Sequence, residues 1–229
     1  MKDLGKLFNL KVLVKKLFPY LPLSYTDIVA RFLKGCKSVL DVGCGNGELM
    51  INLRKRINVY SVGLELYLPY LHEAKKRKSH DDFILADARW LPIKPKSFDG
   101  VLCSQVLEHL NKIEGIKLLE NAEKISKLRV VIGTPIGYIP YLPLEPESYN
   151  NPFQVHKSGF MPQFFKTRGY CVRFQGLKLA YGPQGFMRSV PNLLRLLLSL
   201  IPYLIAPITY FSSRLAIYLI AYKDVQKNS

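Results

Sequence analysis

The stretch "SVLDVGCGNGEL", Ser38 to Leu49, decides the fold. A short apolar run ending in glycine suits a buried strand. Asp41 stands just ahead of the first glycine, and Gly43, Gly45 and Gly47 alternate with other residues. "NGELMINLRKR" then reads as a helix, with Asn46 as its cap, Glu48 in its first turn and Arg54, Lys55 and Arg56 at its C-terminal end. "VYSVGLEL" reads as a second strand and "YLPYLHEAKKRK" as a second helix. "DFILADA", "FDGVLCSQ" and "RVVIGTP" read as three more strands, with "HLNKIEGIKLLENAEKIS" a helix between the last two. This alternation predicts an α/β fold built of parallel βαβ units in an open, doubly wound sheet. Such sheets bind ligands at the carboxyl ends of their strands.

The glycine loop narrows the ligand. A dinucleotide fingerprint needs G-x-G-x-x-G, and Glu48 occupies the place of its third glycine. A P-loop needs Gly-Lys-Ser/Thr, which is missing. Asp41 would repel a phosphate and suits a ligand with positive charge. S-adenosylmethionine carries a sulfonium and an ammonium, and its adenosine needs a tight loop and an acid for the ribose. By analogy with dinucleotide folds that acid stands about 20 residues on, at the end of the second strand. Glu65 is there.

Composition bounds the rest. The chain has 229 residues, enough for one sizeable α/β domain. With 33 Lys+Arg against 17 Asp+Glu its formal net charge is +16, which favours an anionic contact without choosing one. Cys36, Cys44, Cys103 and Cys171 are scattered without paired spacing, so they read as free thiols in a reducing cytosol. Lysines interrupt the apolar N-terminal run, which does not read as a signal peptide.

"VLDVGCGNG", "VGLEL" and "ADARWLPIKPKSFDGVLCSQVLEHL" together resemble the class I S-adenosylmethionine-dependent methyltransferases, especially their type 11, ubiquinone-biosynthesis-like group. The resemblance covers Val39 to Pro135, with a weaker echo to Tyr222. It implies a Rossmann-like, mostly parallel sheet of seven strands with a terminal antiparallel hairpin, formed here by "YCVRFQGLKL" and "RLAIYLIAYK". It implies that Asp41, Gly43, Cys44, Gly45 and Gly47 line the methionine part of the cofactor. Glu65, with Leu66 beside it, would bind the ribose hydroxyls, Asp87 would approach the adenine amine, and Ala88 would lie beside the ring. Gln105 would stand at the mouth of the site, and Tyr67 either covers the adenine or is an exposed residue at a helix start. Some ubiquinone-type relatives hold a divalent metal with an extra acid and the Glu-His pair of "VLEHL"; here Gln105 replaces that acid, so no metal is expected.

A hydroxyl acceptor needs a base near neutral pH, and histidine is the residue for it. His109 and His156 are the catalytic candidates, while His72 and His80 flank "EAKKRKSH" and read as solvated. The Asn/Asp-Pro-Pro-aromatic motif of base-amine methylation is missing after the fourth strand, and the basic runs "LRKR" and "KKRK" end helices, where cations complement the dipole. Nucleic acid is therefore the less favoured acceptor, and a small hydrophobic or lipid-linked molecule the favoured one. The alternatives are an RNA or protein methyltransferase, or a protein that binds S-adenosylmethionine without turnover. One domain spans 1–229: a basic, apolar helical segment over 1–35, a cofactor-binding core over 36–135 and a substrate-side region over 136–229. Within the last, the apolar insert 190–211, broken by Pro202 and Pro207, reads as a lid, a dimer surface or a membrane contact, and 214–223 as the last strand. The expected place is the cytoplasm, with peripheral contact at the inner face of the membrane.

Overall fold

The computed structural model describes residues 20–140, 151–190, 198 and 204–225. The opening run forms β1 (Ser38–Val42), flanked in parallel register by β2 (Tyr60–Glu65) and β4 (Phe98–Ser104). β3 (Asp82–Leu85) pairs with β2, and β5 (Ser126–Pro135) with β4, both in parallel. β6 (Cys171–Leu177) and β7 (Ala216–Asp224) close the sheet as an antiparallel pair, giving the order β3-β2-β1-β4-β5-β7-β6. The mostly parallel seven-stranded sheet with its terminal hairpin is thus present. Chain direction across the sheet reverses between β1 and β4, and the ligand crevice of such folds opens at that switch.

The central strands are apolar throughout because both their faces are covered. Leu40, Val42, Val101, Cys103, Val130 and Ile132 pack on one side, against Leu118, Ala122 and Ile125 of the helix Lys112–Ile125. Val39, Leu102 and Val131 pack on the other, against Ile28, Val29 and Phe32 of α1 (Tyr25–Phe32) and Met50 and Leu53 of α2 (Glu48–Leu53). The other α-helices among the described residues include α3 (Leu68–Lys76), α4 (the Lys112–Ile125 helix), α5 (Pro162–Lys166), α6 (Lys178–Tyr181) and α7 (Ala206–Phe211). Asn111 and Glu114 form a reciprocal capping box that fixes the start of α4.

Several ends differ from the sequence reading. Gly47 takes a left-handed φ of 79° and starts α2 at Glu48, while Asn46 Oδ1 accepts from Glu48 N–H at 3.2 Å one residue earlier. The expected helix through Arg56 stops at Leu53, and two of its cations are used as struts. Arg54 binds Asp81 and Arg56 binds the buried Asp27, each at 2.8 Å. The last strand runs from Ala216 to Asp224. Residues 1–19 and most of the apolar insert 190–211 lie outside the described residues. Among the described residues no helix is long and apolar enough to cross a membrane.

Candidate active site

A cleft opens past the carboxyl ends of β1, β2 and β4, lined by Gly43, Gly45, Glu65, Leu66, Asp87, Ala88, Gln105 and His109. Each follows from a strand end. Gly43 has φ 70°, and a Cβ there would lie 2.4 Å from Val106 Cγ2, so only glycine allows the loop to turn against the end of β4. Glu65, the last residue of β2, accepts from Gly45 N–H at 2.9 Å and from Tyr67 N–H at 2.7 Å. One carboxylate therefore ties the glycine loop to the start of α3 and faces the cleft between them. Burial raises its pKa above the ordinary carboxylate range. Asp87 lies past β3, with Arg89 clamped on both its oxygens at 2.6–3.0 Å, and that contact holds its carboxyl below the usual range.

Three residues from the opening motif are placed elsewhere. Cys44 is buried beneath the loop, its thiol pushed up by burial, and lies next to Gly63. Gly47 faces Ser79 rather than the cleft. Asp41 is 2% exposed, with Oδ2 3.1 Å from His80 Nε2. His80 is therefore not solvated, and this corrects the sequence reading. It is buried, its Nδ1 lies 2.8 Å from Ser79 Oγ, and its ring meets Phe83 edge-on. His72, also read as solvated, is exposed. Tyr67 packs edge-on against Tyr70 and Phe153.

The segment after β5 supplies walls that the sequence pattern did not reveal. Asn151, Phe153, Gln154 and Lys157 close the cleft. The segment is pinned by Lys157 N–H and Ser158 N–H donating to Glu108 O at 2.7 and 3.2 Å. The Asn151 side chain, accepting from Phe153 N–H, was the local sign of an ordered turn.

A second cavity of about 280 Å³ adjoins the cleft and shares Gln105, His109 and Gln154 with it. It brings His156 to the same place, with Pro135, Ile139, Tyr181 and Tyr218 as apolar walls. The His109 and His156 rings are 4.9 Å apart. Each presents Nδ1 to a backbone carbonyl, Val155 O for His109 and Ile139 O for His156. Burial, then the neighbouring His156, pushes His109 down to about 4, and burial lowers His156. Gln105 stands at the end of β4 in a left-handed conformation (φ 57°), held by its N–H donating to Gly133 O at 2.8 Å. Its Nε2 and Glu108 Oε1 are buried with no hydrogen-bond partner. A left-handed non-glycine residue and two buried polar atoms without partners thus meet where the two cavities join.

Glu108, His109 and His156 each offer one ligand atom, all within 4.8 Å of one another. Metal-binding histidines typically donate their other nitrogen to a carbonyl, as both rings do here. The expectation of no metal rested on Gln105, and His156 is a donor which that reading did not count.

Glu108 is 1% exposed, and its carboxyl is pushed by burial from an ordinary 4.5 to about 7. A raised carboxyl favours the protonated fold, so this contribution is complete below pH 4.5 and is lost as pH rises through about 7. Glu108→Gln keeps an oxygen for the Thr134 hydroxyl, which donates at 2.9 Å. In chelator-containing buffer the variant should match the wild type at about pH 4 and be more stable by up to about 3 kcal/mol at about pH 8. Thermal unfolding at both pH values checks this, and a difference independent of pH would refute it.

Residues 39–127 match the family of the methyltransferase domain. An uncharacterised protein of Methanocaldococcus jannaschii is 37% identical over 157 residues, 68% of this chain and 64% of that protein. The chain thus spans less than two thirds of that relative's length. Among solved structures, a SAM-dependent methyltransferase from Archaeoglobus fulgidus shares the fold with a TM-score of 0.57 and 19% identity over 94% of each chain. The cyclase SpnF shares it with a TM-score of 0.55 and 17% identity, over 86% of this chain and 79% of that one. Residues 39–127 thus carry the match to a methyltransferase domain, and the fold is one that a SAM-dependent methyltransferase adopts.

Proposed function

We propose that this chain transfers the methyl group of S-adenosylmethionine to a small apolar acceptor carrying a protic nucleophile. Because a cyclase carries the same fold, the reading rests on the site and not on the fold. The observation that carries it is the pair of adjoining cavities, which meet at Gln105, His109 and Gln154. In this reading Glu65 accepts from the ribose hydroxyls, Asp87 from the adenine amine, and the Gly43–Gly47 loop borders the methionine chain. The acceptor lies among Pro135, Ile139, Tyr181 and Tyr218.

Methyl transfer is an in-line displacement. The acceptor's lone pair attacks the methyl carbon, the carbon–sulfur bond breaks, and its electron pair leaves with sulfur as S-adenosylhomocysteine. The protein's share is alignment, exclusion of water and removal of the acceptor proton. With Nδ1–H donated to a carbonyl, the Nε2 atom of neutral His109 or His156 takes that proton. Their lowered pKa values keep both rings neutral at pH 7. A second reading, favoured by the unpaired Glu108 Oε1, has Glu108, His109 and His156 holding a divalent cation that acidifies the acceptor hydroxyl. Loss of turnover with chelator and its return with metal would distinguish the two.

Calorimetry should show binding of S-adenosylmethionine and S-adenosylhomocysteine but not of NAD. Glu65→Ala should weaken both by roughly ten- to a hundredfold, the cost of hydrogen bonds to a charged partner. Binding of NAD alone would refute the cofactor. Labelled cofactor incubated with lipid, RNA and protein fractions then identifies the acceptor. Label in RNA or protein would replace the small-molecule reading, and no label in any fraction would leave a cofactor-binding protein without turnover.

A further inference from the structure

Helix α7 is turned inside out. It buries Ala206 and Thr209, the latter 2% exposed, and presents Ile208 (60%) and Phe211 (73%) outward. Leu204, 80% exposed, precedes these two at helical spacing. Leu179, on α6, is 72% exposed and follows Lys178, whose N–H donates to Leu215 O at 2.7 Å. Leu215 is itself exposed. Large apolar side chains outside and a threonine inside invert the usual pattern, and an exposed apolar patch of this kind marks a contact surface.

The charge around the patch selects its partner. From Ser148 to Lys223 the sequence holds no aspartate or glutamate. Lys178 and Arg214 are exposed beside the apolar side chains, and Lys166 and Arg173 line a groove with Tyr210 and Phe211. Among the described residues none of these four cations is ion-paired. Two such faces would repel each other, which disfavours a second copy of the chain. Four of the five exposed apolar side chains, Leu179, Leu204, Ile208 and Leu215, are aliphatic and only Phe211 is aromatic, so nucleic-acid bases have little to stack on.

We infer that the α7 face, with Leu179 and Leu215, docks on the anionic surface of a lipid bilayer. Apolar side chains enter the interface while Lys166, Lys178 and Arg214 meet anionic headgroups. Helix α6 carries the exposed Leu179 next to Lys178, which is tied to Leu215, and lends Tyr181 to the second cavity, so a bilayer-borne molecule would have a short path to that cavity. Docking itself requires no turnover, and so it is measured by partitioning.

The full chain should co-sediment with vesicles of equal parts phosphatidylcholine and phosphatidylglycerol, and much less with phosphatidylcholine alone. Ile208→Glu with Phe211→Glu should lower the bound fraction roughly tenfold through lost apolar insertion. Lys178→Glu with Arg214→Glu should abolish the preference for the anionic vesicles. All four positions are exposed, so thermal melting and S-adenosylhomocysteine binding should be unchanged. A wild type that stays in the supernatant overturns the inference, as does equal binding by wild type and variants. A dimer that the glutamate pair dissociates, in a chain that ignores both vesicles, would assign the face to a second copy instead.

Discussion

Gly47→Ala should be among the most damaging single substitutions in this chain. Gly47 has φ 79°, so an alanine there takes on left-handed strain of about 1–2 kcal/mol. Its Cβ would also lie 2.1 Å from Ser79 Oγ and 2.3 Å from Ser79 Cβ, and Ser79 is buried. Overpacking of that kind adds typically about 1–3 kcal/mol, and relieving it moves either the loop or the His80 anchor behind it. The loop that carries Gly43 and Gly45 into the cleft would shift, so S-adenosylhomocysteine binding should fall with stability. Gly45→Ala is the contrast. It has φ 56°, but a Cβ there meets nothing within 4 Å, so only the backbone strain applies. Combining Gly47→Ala with Ser79→Gly removes both overlapping atoms and leaves Ala74 Cβ at 3.4 Å as the nearest neighbour. The double variant should regain part of the lost stability, by denaturant unfolding. If Gly47→Ala and Gly45→Ala cost the same, the overlap has no part in shaping the loop.

That contrast shows which parts of the site the sequence could report. The strands were legible because β1, β4 and β5 are covered on both faces, and continuous apolar runs ending in glycine or a polar residue have few other readings. Of the cleft residues on strand ends, Glu65 followed from the same pattern, while Asp87 and Gln105 came from the family resemblance; the topology puts all three ends on one edge. Asp41 was harder. Strand alternation puts it on the side of Val39, facing α1 and α2, so its carboxylate turns into the protein. The walls from Asn151 to Lys157 have no periodicity, because two backbone hydrogen bonds to Glu108, far off in sequence, place them. His80 was misread for a related reason. It follows a run of exposed cations on α3, yet the chain turns inward at Ser79, and its partner Asp41 is 39 residues away.

His80→Ala should therefore destabilise the fold far more than His72→Ala, although both histidines flank the same basic run. His72 is exposed, and its removal should change stability by no more than about 0.5 kcal/mol. Removing His80 takes the hydrogen-bond partner from Asp41 Oδ2, which lies behind the glycine loop with only 2% of the residue exposed. A buried acceptor left without its partner costs about 1–3 kcal/mol, and more if it is charged, because the remaining group keeps its desolvation penalty. It also leaves a hole beside Phe83 and Ser79, which the ring now fills. Changing both partners should cost less than the sum of the single changes, since Asp41→Asn removes the stranded carboxylate. Denaturant unfolding of His80→Ala, Asp41→Asn and the double variant measures that coupling. Cofactor binding separates a local role from a global one: in folded protein, at a temperature well below the unfolding midpoint, His80→Ala should still weaken S-adenosylhomocysteine. Both Asp41 at the end of β1 and Ser79 against Gly47 lose their hold on the loop when the ring is gone. Additive single changes, or unaltered cofactor binding in the folded variant, would show that the pair fills space without holding the loop.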